Sequence, residues 1–284
     1  MPTNNTESTM RIDYSDEWHQ DFERSSTILK QAVSSSGIVK AKTVTFDVAD
    51  TTGRAKTRQR DGELPYGRPD TNQVSKDLEE HFEPYIIDDW DVFRNNSQLR
   101  KLYMEKAMAV INRERDAQII EELDTTTTEL SASASDFTAL ATFQAATNAL
   151  YVNDIPSDDG KLWGVVTPTA YNRMMTIDEF SSADYVDVKP FVEGAPAVGR
   201  AKHWNGVNWL RHTGLTGFGT ALAQCYLFHS SAVGHKDDGE PTFKAGEDEK
   251  HNQHWCWART RHCAKVILPR GVIRIHHNDT AAFA

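Results

Sequence analysis

The sequence is short of cysteine, of positive charge and of long apolar runs, and each shortage removes a class of protein. Three cysteines, Cys225, Cys256 and Cys263, stand among 284 residues. An odd and thin set gives no disulfide framework and fits a reducing compartment. Lysine and arginine total 31 against 41 acidic residues, a formal net charge of −10. A dedicated nucleic-acid binder needs a basic footprint, so that class is disfavoured. No apolar run approaches the ~18 residues that a membrane-spanning helix requires. The opening MPTNNTESTMRIDYSDEW has neither a basic nor an apolar region, so no secretory signal is expected there. The motifs that cradle phosphates or present a nucleophile, G-x-x-x-x-G-K-[ST], G-x-G-x-x-G and G-x-S-x-G, are missing as well. Gly217 and Gly219 in LTGFGTAL have no third glycine and no strand–helix context, and read as a turn. No internal repeat is present.

What the chain does have is ordinary foldable composition, with 39% hydrophobic and 25% charged residues. The length holds one large domain or two modest ones. Its most conspicuous stretch is residues 96–123, NSQLRKLYMEKAMAVINRERDAQIIEEL, free of Gly and Pro and with apolar residues at helical spacing. At ~1.5 Å per residue this predicts a rod of roughly 42 Å. Asn95, Asn96 and Ser97 are good caps for its start, and Asp124 with Thr125–Thr128 ends it. The helix is not simply two-faced. Leu99, Leu102, Tyr103, Val110, Ala117 and Ile120 form one stripe, interrupted by Lys106, Arg113 and Glu114. Met104, Met108, Ile111 and Ile119 form another, which predicts a helix bedded on its own sheet and covered from elsewhere.

Upstream, residues 1 to about 15 read as a polar arm and Glu17–Val33 as a helix stopped by Ser34-Ser35-Ser36-Gly37. Lys42, Val44, Phe46 and Val48 alternate as a strand, and Val74, Lys76, Leu78, Glu80 and Phe82 as its return. Between them lies TTGRAKTRQRDGELPYGRPDT, too polar to bury itself and too long for an idle turn. Arg54, Lys56, Arg58 and Arg60 stand at spacing two, so an extended chain puts all four on one side. The reading is a charged ribbon that reaches an acidic surface on another chain, or phosphate.

Downstream of a Thr/Ser-rich passage the pattern mixes helix and strand. Phe137–Leu150 is helical, LWGVV a buried strand, Thr167-Pro168 a helix start, TIDE a capping box and Asn205-Gly206 a hairpin turn. Cys225–Val233, Gln253–Ile267 and Gly271–His276 read as strands, and the charged segment Gly234–Lys250 as an exposed loop. His251, His254, Cys256, His262, Cys263, His276 and His277 gather near the end. Zinc takes such ligands, but in short-spaced pairs, and no second pair is present. A metal-dependent enzyme built on this cluster is therefore a distant alternative, and no catalytic, cofactor or metal residue is assigned.

Taken in order, these segments resemble the major capsid protein of tailed double-stranded DNA bacteriophages, the Hong Kong 97-like fold. DDWDVFRNNSQLRKLYMEKAMAVINRERDAQIIEELDTT is similar to that family's spine helix, and GKLWGVVTPTAYNRMM to its axial strand and helix. PFVEGAPAVGRAKHWNGVNWLRHTGL and HCAKVILPRGVIRIHHND resemble its later hairpin and closing strands. The resemblance implies an α+β fold with an N-arm (1–39), an extended loop (40–82), a peripheral domain (83–135 and 251–284) and an axial domain (136–250). It implies a shell subunit: pentamers and hexamers of an icosahedral container for viral DNA, located in the virion after assembly in the host cytoplasm. The implied partners are further copies of the chain, scaffolding, portal and decoration proteins, and packaged DNA held without sequence readout. No membrane and no cofactor are implied. A cellular nanocompartment of encapsulin type has the same fold and is the nearest alternative. Some members of the fold crosslink a loop lysine to a neighbour; Lys42, Lys56 and Lys76 carry no mark of reactivity, and no crosslink is expected. Within this reading the tip residues Arg54, Lys56, Arg58 and Arg60 meet a neighbouring subunit. The outer side of the spine helix, Met104, Lys106, Met108, Ile111, Arg113 and Glu114, meets an incoming loop or arm.

Overall fold

The structure, a computed structural model, describes residues 26–35, 38–49, 55, 57, 58, 60, 62, 63, 71–88, 99–130, 140–157, 159–181 and 202–280. In chain order the elements are β1 (Thr43–Ala49), β2 (Thr71–Asp77), β3 (Glu79–Asp88), α1 (Leu99–Asp124), β4 (Glu129–Leu130), α2 (Leu140–Val152), β5 (Leu162–Val166), α3 (Pro168–Met174) and α4 (Asp178–Ser181). Then come β6 (Lys202–Trp204), β7 (Val207–Arg211), β8 (Ala223–His229), β9 (Val233–Asp237), β10 (Thr242–Asp248), β11 (Gln253–Val266) and β12 (Val272–His277).

The described strands form three sheets. The largest has six strands in the order β4-β12-β8-β5-β7-β6. Its central strands β12, β8 and β5 bury both faces, as their near-continuous apolar runs require. Leu162 and Val166 of β5, Cys225 and Leu227 of β8, and Ile273 and Ile275 of β12 pack on one side with Phe143, Ala146 and Leu150 of α2, Ala170 and Met174 of α3 and Phe180 of α4. Val165, Tyr226, Phe228 and Val272 point the other way, onto Ile119, Ile120 and Leu123 of α1. Gly164 sits in this sheet because Trp209, its partner on β7, lies over it; a Cβ there would fall 2.4 Å from the ring. The expected local signals are in place. Thr167 caps α3 by accepting the Ala170 N–H at 3.1 Å, with Pro168 in the first helical position. Asn205 and Gly206 both take positive φ, 51° and 74°, as a two-residue hairpin turn between β6 and β7 demands.

The second sheet runs β10-β11-β3, and β9 also pairs with β11. Helix α1 crosses one face of it. Ala107, Ile111, Ala258 and Tyr85 form a small core there. Further along, the contact turns polar: Arg115 donates to the Thr260 hydroxyl at 3.0 Å and Gln118 to Glu79 at 3.0 Å. Glu122 accepts from Lys76 at 3.1 Å and from Lys265 at 3.2 Å. The third sheet is the two-stranded ribbon β1–β2, in register from Thr43↔Asp77 to Ala49↔Thr71.

Four expectations change. The return strand is not continuous through Phe82: the Leu78 N–H bonds the Lys42 carbonyl at 2.8 Å, ending the ribbon, and β3 leaves to pair with β11. The segment Gly234–Lys250 is not a loop, since β9 and β10 lie within it; their charges are matched, as by Lys30 to Asp237 at 2.6 Å. The described part of the Glu17–Val33 helix, residues 26–33, holds only a single 3₁₀ turn, Leu29–Gln31, while residues 17–25 lie outside the described residues. Strand pairing also crosses the expected domain boundary both ways, for β9 and β10 join β11, and β12 joins β8.

Candidate functional site

The face of the four-stranded sheet turned away from α1 has no covering element among the described residues. Antiparallel partners share a face, and the register places Trp255 opposite Ile86, Trp257 opposite Pro84, Arg259 opposite Phe82 and Arg261 opposite Glu80. Phe82 is 62% exposed and Ile86 65%. Trp255 lies flat across Gly246 of β10, where a Cβ would be 2.4 Å from the ring. Trp257 is flanked by Lys244 and Arg259, whose charges stand 5.7 and 5.6 Å from its ring centre. At the end nearest the ribbon, Glu80 accepts from Arg261 at 3.1 Å and Arg259 at 3.3 Å. The bond from Arg261 holds its carboxyl below the usual range. The result is an apolar and aromatic platform with an ionic border. A monomer rarely leaves such a surface contiguous and uncovered unless something binds it.

Arg58 and Arg60 are both exposed, and Arg54 and Lys56 lie outside the described residues. At the root of the ribbon Val44 is 5% exposed, and the Phe46 ring fills the space over Gly234.

The expected outer side of α1 needs one correction. Ile111 is 2% exposed and packs on Ala258 of the subunit's own sheet. Its stripe continues through Arg115, Gln118 and Glu122, at 6%, 6% and 7% exposure. These are polar residues buried by their bonds to β3, β11 and β2, so an apolar stripe alone misplaces the sheet-facing side. Met104, Met108 and Glu114 are half-buried, and Lys106 and Arg113 exposed.

The His/Cys residues near the C-terminal end are spread over both sheets. His251 and His254 pair with Asp248 at 2.7 Å and Glu247 at 3.2 Å, while His276 lies 3.7 Å from Glu129 on the other sheet. Burial pushes the Cys263 thiol up to about 11 and the Cys225 thiol to about 12, the wrong direction for a nucleophile or metal ligand. Among the described residues no group of three or more His, Cys, Asp or Glu side chains is arranged to hold a metal ion.

The open platform is the surface that the sequence reading missed. The signal was present as apolar residues on both phases of β3, Phe82, Pro84 and Ile86 alternating with Tyr85 and Ile87.

Comparison with known proteins gives the molecule a context. A family model described as phage capsid protein matches residues 7–279. No curated protein matches the chain. Among solved structures, that of Mycobacterium phage Che8 is similar with TM-score 0.69 and 18% identity, covering 99% of this chain and 100% of that one. The capsid of a native GTA particle gives TM-score 0.73 at 12% identity, covering 97% of each chain. The capsid of Ralstonia phage GP4 gives 0.71 at 10%, covering 100% and 99%.

Proposed function

The chain belongs to the phage capsid protein family, and from that premise we propose that it builds an icosahedral shell by laying the platform on β3, β11 and β10 against another copy of itself. It is a structural capsid protein. The observation that carries the finer reading is the platform: Phe82 and Ile86, 62% and 65% exposed, share a face with Trp255 and Trp257. Burying such surface drives association without directional constraint, and the charged border sets register and rejects wrong partners.

In this reading the six-stranded sheet and its three helices form the axial domain around the five-fold and six-fold axes. The four-stranded sheet with α1 forms the peripheral domain, and the ribbon β1–β2 is the extended loop. Arg54, Lys56, Arg58 and Arg60 pair with carboxylates of a neighbour. Each exposed pair is worth only ~0–1 kcal/mol, so their effect lies in number and in the choice of neighbour. Repetition around closed rings multiplies weak contacts into a stable shell. Scaffolding, portal and decoration proteins complete the partner set, and assembly takes place in the host cytoplasm. The encapsulin alternative is not favoured, since the matching family is a phage one.

Electron microscopy of the protein expressed alone tests this. The wild-type chain forms closed shells. The double variant Phe82→Asp/Ile86→Asp folds with an unchanged circular dichroism spectrum and stays as free subunits. Reversal of the four basic tip residues to Glu gives the same loss or aberrant forms. Normal shells from both variants would overturn the proposal.

A further inference from the structure

Three imidazoles stand in a row where α1, β3, β9 and β11 meet. His262 of β11 stacks on His81 of β3, with ring centres 4.6 Å apart and planes inclined by 28°. On its other side His235 of β9 lies 6.0 Å away. His235 and His262 are 0% exposed, and both nitrogens of each ring lack a hydrogen-bond partner. Stacked rings direct their nitrogens outward in separate planes, so the row does not converge on a metal ion.

The row is tied to the start of the described chain. Residues 28–34 cross α1 as a strap. Asp116, 0% exposed on α1, accepts the N–H groups of Ile28 and Leu29, each at 3.1 Å. Lys30 bonds Asp237 at 2.6 Å. The backbone N–H of His235 itself bonds the Ser34 carbonyl at 3.0 Å, and the Ser34 N–H returns to Val233 at 2.9 Å. The strap and strand β9, which carries His235 at the end of the row, therefore hold one another.

The charges facing the row come from every element around it. Helix α1 contributes Glu114, 3.7 Å from His81, with Arg115 and Asp116. Strand β3 contributes Glu79, 3.8 Å from His81. Strand β9 contributes Asp237, and the strap Lys30. Arg115 stands 3.9 Å from Asp237, so that carboxylate already serves two cations. Little negative charge is left for a protonated His235 or His262. By contrast the buried His212 and His229 each face a carboxylate, Asp116 at 3.3 Å and Asp159 at 3.0 Å.

We propose that this row is an acid-sensitive fastening: when the buried imidazoles take up protons, the seam between α1, β9 and β11 opens and the strap at 28–34 is released before the six-stranded sheet yields. Burial is the leading cause that lowers His235 to about 4 and His262 to about 2, with nearby Lys30 and Arg115 adding to the shift. The folded values lie below the unfolded value of about 6.5. Above that pH both states are neutral and stability is flat. As pH falls from about 6.5 toward 4 the open chain binds protons that the closed one refuses, and each ring shifts the equilibrium toward opening by up to about tenfold per pH unit.

Hydrogen exchange with mass spectrometry on the full chain at pH 7.5 and 5.0, corrected for intrinsic rates, tests the proposal. Amides of 28–35 and 233–237 should lose at least about tenfold in protection at pH 5.0 while β5 and β8 keep theirs. The variant His235→Phe/His262→Phe should abolish that loss; a folded variant with the wild-type loss would overturn the proposal. Should the variant not fold, nuclear magnetic resonance of histidine-labelled wild-type protein decides. Two rings that stay neutral until the strap exchanges support it, and rings that all titrate near 6.5 overturn it.

Discussion

In the six-stranded sheet both faces are buried, Leu162, Cys225 and Leu227 toward α2–α4 and Val165, Tyr226 and Phe228 toward α1. In the four-stranded sheet Tyr85 and Ala258 lie beneath α1, while Phe82, Pro84, Ile86 and their partners Trp255 and Trp257 face outward. Both sheets obey the period of two, yet among the described residues only the first has both faces covered. The difference separates two uses of apolar surface: one holds the chain together, and in the proposed reading the other meets a second copy of the chain.

That comparison can be broken by substitution. The largest effect belongs to the closed sheet. Phe143, 1% exposed and set edge-on to Trp204 and Trp209, should cost about 3–5 kcal/mol on replacement by Ala, measured by urea denaturation of the free subunit. Gly164→Ala should follow at about 1–3 kcal/mol, because the Trp209 ring must leave its place over β5. A cost below that of an ordinary surface change would mean the ring moves freely. Ile86→Ser on the open face should change the same midpoint by no more than about 0.5 kcal/mol, since its side chain is already largely in water. If it rivals Phe143→Ala, the platform is part of the subunit's own core and the contrast between the sheets fails.

Sequence reasoning reached the features whose signals are local. Residues 96–123 predicted α1, Thr167-Pro168 the start of α3 and Asn205-Gly206 the β6–β7 turn, each written within a few neighbouring positions. It failed where the deciding partner is far away. Strand β9 reads as loop because Lys236 and Asp237 look solvated; Lys30, some two hundred positions earlier, makes Asp237 burial tolerable. The platform needs the pairing of 82–86 with 255–259, which no local pattern supplies. The stripe through Ile111 was misdrawn because Arg115, Gln118 and Glu122 are polar, and only Thr260, Glu79, Lys76 and Lys265 show them to be interior. Of the basic tip, Arg58 and Arg60 are exposed on the described chain.

The root of the ribbon has a mechanical consequence. Phe46 is seated over Gly234, and the Lys76–Glu122 pair joins β2 to the last turn of α1, while the same carboxylate holds Lys265 of β11. The ribbon is thus a cantilever clamped at one end. Beyond Phe46 its free length to Ala49 is about 10 Å at ~3.3 Å per residue, so a tilt of about 10° displaces Ala49 by about 2 Å. A load applied at that end is borne at the clamp and passes in one step to α1 and β11. Under the proposed contact with a neighbouring subunit, that load path is a single carboxylate and two lysines.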